Sequence, residues 1–92
     1  ILIQRHDLAQ YGFDCHQPIT VALSVDQIEI YAEHDGKRKV SCVTDKRRDV
    51  KYQTIDLRIP VDQRAAIFGG AEKLVVLIKC GVIIISAAYP TT

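Results

Sequence analysis

The sequence predicts a mostly β domain with two short helices, and three observations carry that prediction. Two β-rich runs flank a two-residue Cys80-Gly81 turn, an alternating apolar run follows Pro18, and two short stretches each end in an aromatic residue followed by glycine. The 92 residues are expected to form a single domain, 1–92, near the low end of length at which one apolar core sustains itself. That length has no room for a multidomain enzyme. A hydrophobic fraction of 48% with 25% charged residues excludes a disordered or collagen-like chain.

Taken in order, Ile1-Leu2-Ile3 reads as an extended run, and Arg5 to Tyr11 as a short helix stopped by Gly12. Ile19, Val21, Leu23 and Val25 then share one strand face, with Thr20, Ala22 and Ser24 on the other. Asp26-Gln27 turns the chain into a second strand, Ile28 to Ala32. A strand is expected over Lys39 to Thr44, a hairpin tip over Asp45 to Asp49, and a further extended run over Val50 to Ile59. Pro60 sits where a first helical residue would, Asp62 places negative charge near the N-terminus of a helix over Val61 to Phe68, and Gly69-Gly70 stops it. The last hairpin, Leu74 to Lys79 and Val82 to Ala87, is apolar on both faces, the pattern of strands covered on two sides. In a chain this small the second cover is expected to be another subunit, which makes Leu74 to Ile85 the expected homo-oligomer contact.

The order strand, short helix, strand, strand occurs twice, which raises an internal repeat over 1–32 and 55–88 with a basic hairpin, 33–54, between the copies. Net charge is +1, too small to steer the whole molecule toward a polyanion, but its distribution is uneven. Residues 37–51 hold seven basic side chains against two acids, a local charge of +5, while the remainder carries −4. Lys37, Arg38, Lys39, Lys46, Arg47, Arg48 and Lys51 can therefore neutralise phosphates and release condensed counterions. A solvated hairpin tip, or a dock for an acidic protein, would use the same residue types.

Cys15, Cys42 and Cys80 are odd in number and lack tight pair spacing, so free thiols in a cytosolic protein are expected. The longest apolar stretch is broken by Lys79 and a turn, and the charged N-terminus does not read as a signal peptide, so a soluble, cytoplasmic protein without membrane contact is expected. The chain has no methionine, and Ile1 is not expected to be the encoded start.

Leu8-Ala9-Gln10-Tyr11-Gly12-Phe13, followed by Gln17-Pro18-Ile19-Thr20-Val21 and Gln27-Ile28-Glu29-Ile30, resembles the core of SymE-like proteins. Leu57-Arg58-Ile59-Pro60, with Arg64 four residues after the proline, looks like the Ile-Pro-x-x-x-Arg helix start of the AbrB and MazE swapped-hairpin superfamily, and two such units would be similar in layout to MraZ-type proteins. In the second copy the glycine falls one residue later than the superfamily spacing, and the first copy lacks the Ile-Pro start. The resemblance implies a small intertwined swapped-hairpin β-barrel, often dimeric, with members that act as DNA-binding regulators, antitoxins or RNA-associated toxins. It also adds Arg58 and Arg64 to the expected nucleic-acid contacts.

Other chemistry finds little support. Cys15-His16, Cys42, Cys80, His6 and His34 lack the C-x-x-C or H-x-x-x-H spacing of a zinc site, so no metal and no cofactor are expected. Ser24, Ser41 and Ser86 lack a nucleophile-elbow context, and Gly69-Gly70 is not a phosphate-binding loop. Acid pairs such as Asp45/Asp49 or Glu29/Glu33 show no spacing that selects metal-dependent cleavage, so catalysis is not predicted. Of four tyrosines, Tyr11, Tyr31, Tyr52 and Tyr89, the pair Tyr31 and Tyr52 flanks the basic segment and could stack bases. Cross-strand packing is the competing role. The expected function is nucleic-acid binding, as a DNA-binding transcriptional regulator of AbrB-like type with DNA or RNA as partner. The alternatives are an antitoxin-like or assembly module that meets an acidic protein, and a SymE-like RNA-acting toxin.

Overall fold

A computed structural model describes residues 1–71 and 73–88. Eight strands, β1 (Leu2–Arg5), β2 (Pro18–Leu23), β3 (Gln27–Ala32), β4 (Arg38–Lys39), β5 (Ser41–Asp45), β6 (Val50–Asp56), β7 (Lys73–Lys79) and β8 (Val82–Ala88), accompany one α-helix, α1 (Val61–Phe68). They form a three-stranded sheet in the order β1-β6-β5 and a five-stranded sheet in the order β4-β2-β3-β8-β7. Every pairing is antiparallel. β1 lies beside β6 and β3 beside β8, so strands near the N-terminus pair with strands from the second half of the chain.

The mostly β expectation holds, but the swapped-hairpin barrel does not. The two sheets stay open, with one edge of β7 and one edge of β1 unpaired among the described residues. The strand expected over Lys39 to Thr44 shows why. It breaks at Val40, whose side chain is buried and whose backbone bonds back to Gln17 and His16 at 3.0 and 2.9 Å. Arg38 and Lys39 therefore end the large sheet, and Ser41 begins the small one. The chain thus passes from one sheet to the other at Val40, and no described strand pairs with both sheets to close a barrel.

Two helices were expected and one is present. Arg5 is drawn into β1, and its guanidinium holds the Asp7 carboxylate through bonds of 2.8 and 2.6 Å, leaving room only for a 3-10 turn over Leu8–Tyr11. Gly12, at φ 92°, ends it in a conformation that a side chain would strain. α1 runs over the expected residues, with Pro60 just outside its first turn rather than inside it. Only Phe68 of α1 is buried, so the helix is held by one aromatic side chain and the half-buried Ile67 beside it.

Ile28 and Ile30 on β3, Ile83 and Ile85 on β8, and Ile19 on β2 line one face of the large sheet, and Ile3 and Ile55 face them from the small one. Leu8, Phe13, Leu57 and Phe68 complete this core. Full burial of each such side chain contributes about 1.5–3 kcal/mol. Val25 does not join them: Ser24 bonds to the Gln27 carbonyl, so the turn falls one residue earlier than expected and leaves Val25 88% exposed. Gly36 is pressed on β2, where an added Cβ would lie 2.5 Å from the Ile19 carbonyl, so this turn admits no side chain.

The expectation of three free thiols is also corrected. Cys15 and Cys42 form a disulfide with Cα atoms 5.6 Å apart, and Cys80 alone is free. The return of the chain at Val40 brings Cys42 alongside the loop that holds Cys15, a meeting that a sequence separation of 27 conceals. The pairing removes the free-thiol argument for a reducing compartment. No helix among the described residues is long and apolar enough to cross a membrane.

Candidate nucleic-acid interface

The basic residues that the sequence places together are separated into two groups by the fold. The first is the β5–β6 hairpin. β1 covers β6 only from Gln53 to Asp56, so the pairs Val43–Tyr52, Thr44–Lys51 and Asp45–Val50 form a two-stranded ribbon beyond the edge of the sheet. The molecule is accordingly drawn out: its radius of gyration is 14.0 Å, where a compact chain of this length has roughly 12 Å. Lys46, Arg47 and Arg48 occupy the ribbon's tip, and Lys51 lies on its stem, all four exposed.

The tip is built by its own acids. Asp45 accepts the Arg47 backbone N–H at 3.0 Å, and Asp49 adopts φ 53° to reverse the chain. The Asp45 carboxylate is thus engaged by the turn, while Asp49 contributes through its backbone. Among the described residues no carboxylate lies within 4 Å of the Lys46, Arg47, Arg48 or Lys51 head groups. Four cations without a protein counterion are available to an external anion.

The second group lies about 20 Å away, the length of β6 at ~3.3 Å per residue. Arg38 donates to the Asp56 carbonyl at 3.1 Å, tying β4 to the end of β6. Lys37, Arg38 and Arg58 line a groove of about 550 Å³ together with Ile19, Val21, Leu23, Leu57, Ile59 and Gln63, and with the acids Glu33 and Asp35. Arg58 stands 3.9 Å from Asp56, an exposed ion pair worth little. Lys39 is exposed on β4 and Arg64 on α1, neither of them lining the groove. The groove was not legible in the sequence, because it is assembled from residues 19–23, 33–38 and 57–63 with no shared local motif.

The other candidates resolve individually. Cys15 is in the disulfide, which removes the thiolate-imidazole reading of Cys15-His16. Among the described residues no three His, Cys, Asp or Glu side chains gather as a cation site. Tyr52, at the root of the ribbon, meets His6 edge to face with ring centroids 6.4 Å apart. Tyr31 donates its hydroxyl to Glu29, which also accepts from Gln27 at 2.6 Å. Those two donors hold the Glu29 carboxyl below its ordinary range, and the same bond to Glu29 raises the Tyr31 phenol. Tyr31 is thereby held by Glu29 on β3 with its ring half-buried, Tyr11 packs against the core, and Tyr89 lies outside the described residues.

Compared with family models, curated proteins and solved structures, the chain matches none. The resemblance to SymE-like and AbrB-like sequences rests on the quoted residues alone.

Proposed function

We propose that the protein binds nucleic acid through the β5–β6 ribbon, as a DNA-binding regulator, with Lys46, Arg47, Arg48 and Lys51 making phosphate contacts. The observation that carries this reading is the charge without an ion-pair partner: four cations on a projecting two-stranded ribbon, none of them within 4 Å of a carboxylate among the described residues. A two-stranded ribbon fits the major groove of duplex DNA, and phosphate contacts made from it set position without reading sequence. Lys37, Arg38 and Arg58, about 20 Å back along the ribbon, are placed to meet the same duplex at a second point.

The test is anisotropy of labelled duplex DNA and of structured RNA across a salt series, for the protein and for Arg47→Gln/Arg48→Gln. Affinity should fall steeply with salt, and the double variant should lower the slope of log K against log salt by about 1.8. Absence of binding at low salt would overturn the reading, and tighter binding of RNA would replace DNA as the target. The Cys15–Cys42 disulfide ties down the root of the ribbon, and a reducing compartment would open it. Running the series with and without reductant therefore identifies the competent form.

The groove supports a second reading, a protein-interaction module. Among the described residues the Val21 and Leu23 backbone groups on the free side of β2 have no strand partner, because β4 pairs only with Pro18 and Ile19. An extended acidic peptide could add there as a strand beside Lys37, Arg38 and Arg58. Arg47→Gln/Arg48→Gln separates the two readings, since it weakens binding made through the ribbon and leaves a groove-bound peptide in place.

A further inference from the structure

Among the described residues, only one of the two faces of the large sheet is covered. Strand alternation sends Leu74 and Ile78 of β7, Ile83 and Ile85 of β8 and Ile28 and Ile30 of β3 into the core. The intervening residues point the other way: Val75 and Leu77, Val82 and Ile84, and Tyr31. None of these five belongs to the core or packs against it. Val75 and Leu77 are 48% and 46% exposed, and Ile84 is half-buried on a strand flanked on both sides, where its neighbours alone account for the burial.

The charges around this patch differ between its edges, two lysines on one against two glutamates on the other, with Lys39 of β4 lying beyond the glutamates opposite Pro18. Lys73 and Lys79 stand on β7 at one side; Glu29 on β3 and Glu33 just after it stand at the other, the latter accepting from the Thr20 hydroxyl at 2.8 Å. One row across the sheet reads Leu77, Ile84, Glu29, Ala22.

We propose that a second copy of this chain covers the outer face of the large sheet, stacked about a two-fold axis parallel to the strands. That axis reverses the strand order, so β7 of one copy lies over β2 and β3 of the other, and the basic edge of each meets the acidic edge of its mate. An axis across the strands would set lysine over lysine. Four strands at ~4.8 Å and seven residues at ~3.3 Å give the face a footprint of roughly 19 × 23 Å, and side-chain relief raises the surface removed from water toward the ~600–800 Å² per partner of a small specific interface. The two glutamates disfavour a polyanion on this face, so the contact is separate from the nucleic-acid reading.

Sedimentation equilibrium over the micromolar range tests this. The protein should approach twice the 10.3 kDa chain mass, and Leu77→Glu, which sets a new carboxylate over Glu29 of the other copy, should weaken association at least tenfold (about 1.4 kcal/mol). Lys79→Glu should weaken it, and Lys79→Glu/Glu33→Lys should restore it, a rescue that only the crossed-edge arrangement produces and that does not depend on how Leu77→Glu folds. A protein that stays monomeric, a dimer indifferent to both changes while circular dichroism is unaltered, or a monomer that co-sediments with phosphatidylcholine vesicles would each overturn the proposal, the last by assigning the face to lipid.

Discussion

The β5–β6 and β7–β8 hairpins are built on the same plan, each an antiparallel pair at one side of its sheet, and they are anchored by opposite means. β7–β8 is fixed by its own side chains, with Ile83 and Ile85 fully buried and β3 paired along β8. β5–β6 buries Gln53 and Ile55 near its root and nothing beyond them, and it is tied down by β1 and the Cys15–Cys42 bond. One hairpin spends its residues on the core and leaves an apolar face outside. The other leaves its charges outside and relies on a covalent tether. A small domain can thus afford a polar ribbon only where something other than apolar burial holds the root.

The largest effect that would break this contrast is a cavity under β8. Ile85→Ala should destabilise by about 3 kcal/mol in denaturant titration, against about 0.5 kcal/mol for Val43→Ala, whose side chain is 49% exposed on β5. Equal losses would mean that the ribbon shares the core. Replacing the Cys15–Cys42 pair by alanines should cost a comparable amount, up to about 3.5 kcal/mol for a bridge of separation 27. Hydrogen exchange should then quicken in β5 well before β8, a locality that global denaturation alone would not reveal.

Smaller changes sharpen the comparison. Asp49→Gly relieves a φ of 53° at the ribbon's tip and should raise the unfolding free energy by about 0.5 kcal/mol at most, with salt-dependent binding retained. The smallest effect is on pH. Because the bonds from Tyr31 and Gln27 lower the folded-state Glu29 carboxyl, its contribution is present above the ordinary carboxylate range and fades as pH falls through the lowered value. Glu29→Gln should flatten the acid limb of the stability profile slightly, as read by denaturant titration across acid pH.

What was legible in the sequence follows the range of the interactions. The Cys80-Gly81 turn, the Pro60 start and glycine stop of α1, and the Asp45 to Asp49 tip are set by residues within a few positions of one another, and each lies where local chemistry puts it. The first helix was overestimated because Arg5 is claimed by β6, a partner some fifty positions away. Val25 continues the apolar alternation of β2, yet the Ser24–Gln27 bond takes it into the turn. The break at Val40, which opens the barrel, makes the disulfide and divides the basic residues, depends on backbone bonds to residues 16 and 17 that no local pattern announces. The candidate site was therefore legible as a list of cations and illegible as a place.

The pairing of β3 with β8 also dictates a timetable. As the chain is synthesised, Ile28 and Ile30 emerge early and must wait exposed until residues 82–88 have followed, because β8 carries the isoleucines that share their core. β1 waits likewise for β6. Pairings this distant along the chain close slowly, so the first half of the molecule passes through a period in which its apolar strands are unprotected. Chaperone dependence and yield on expression should be set by the delay before β8 arrives rather than by the stability of the finished fold.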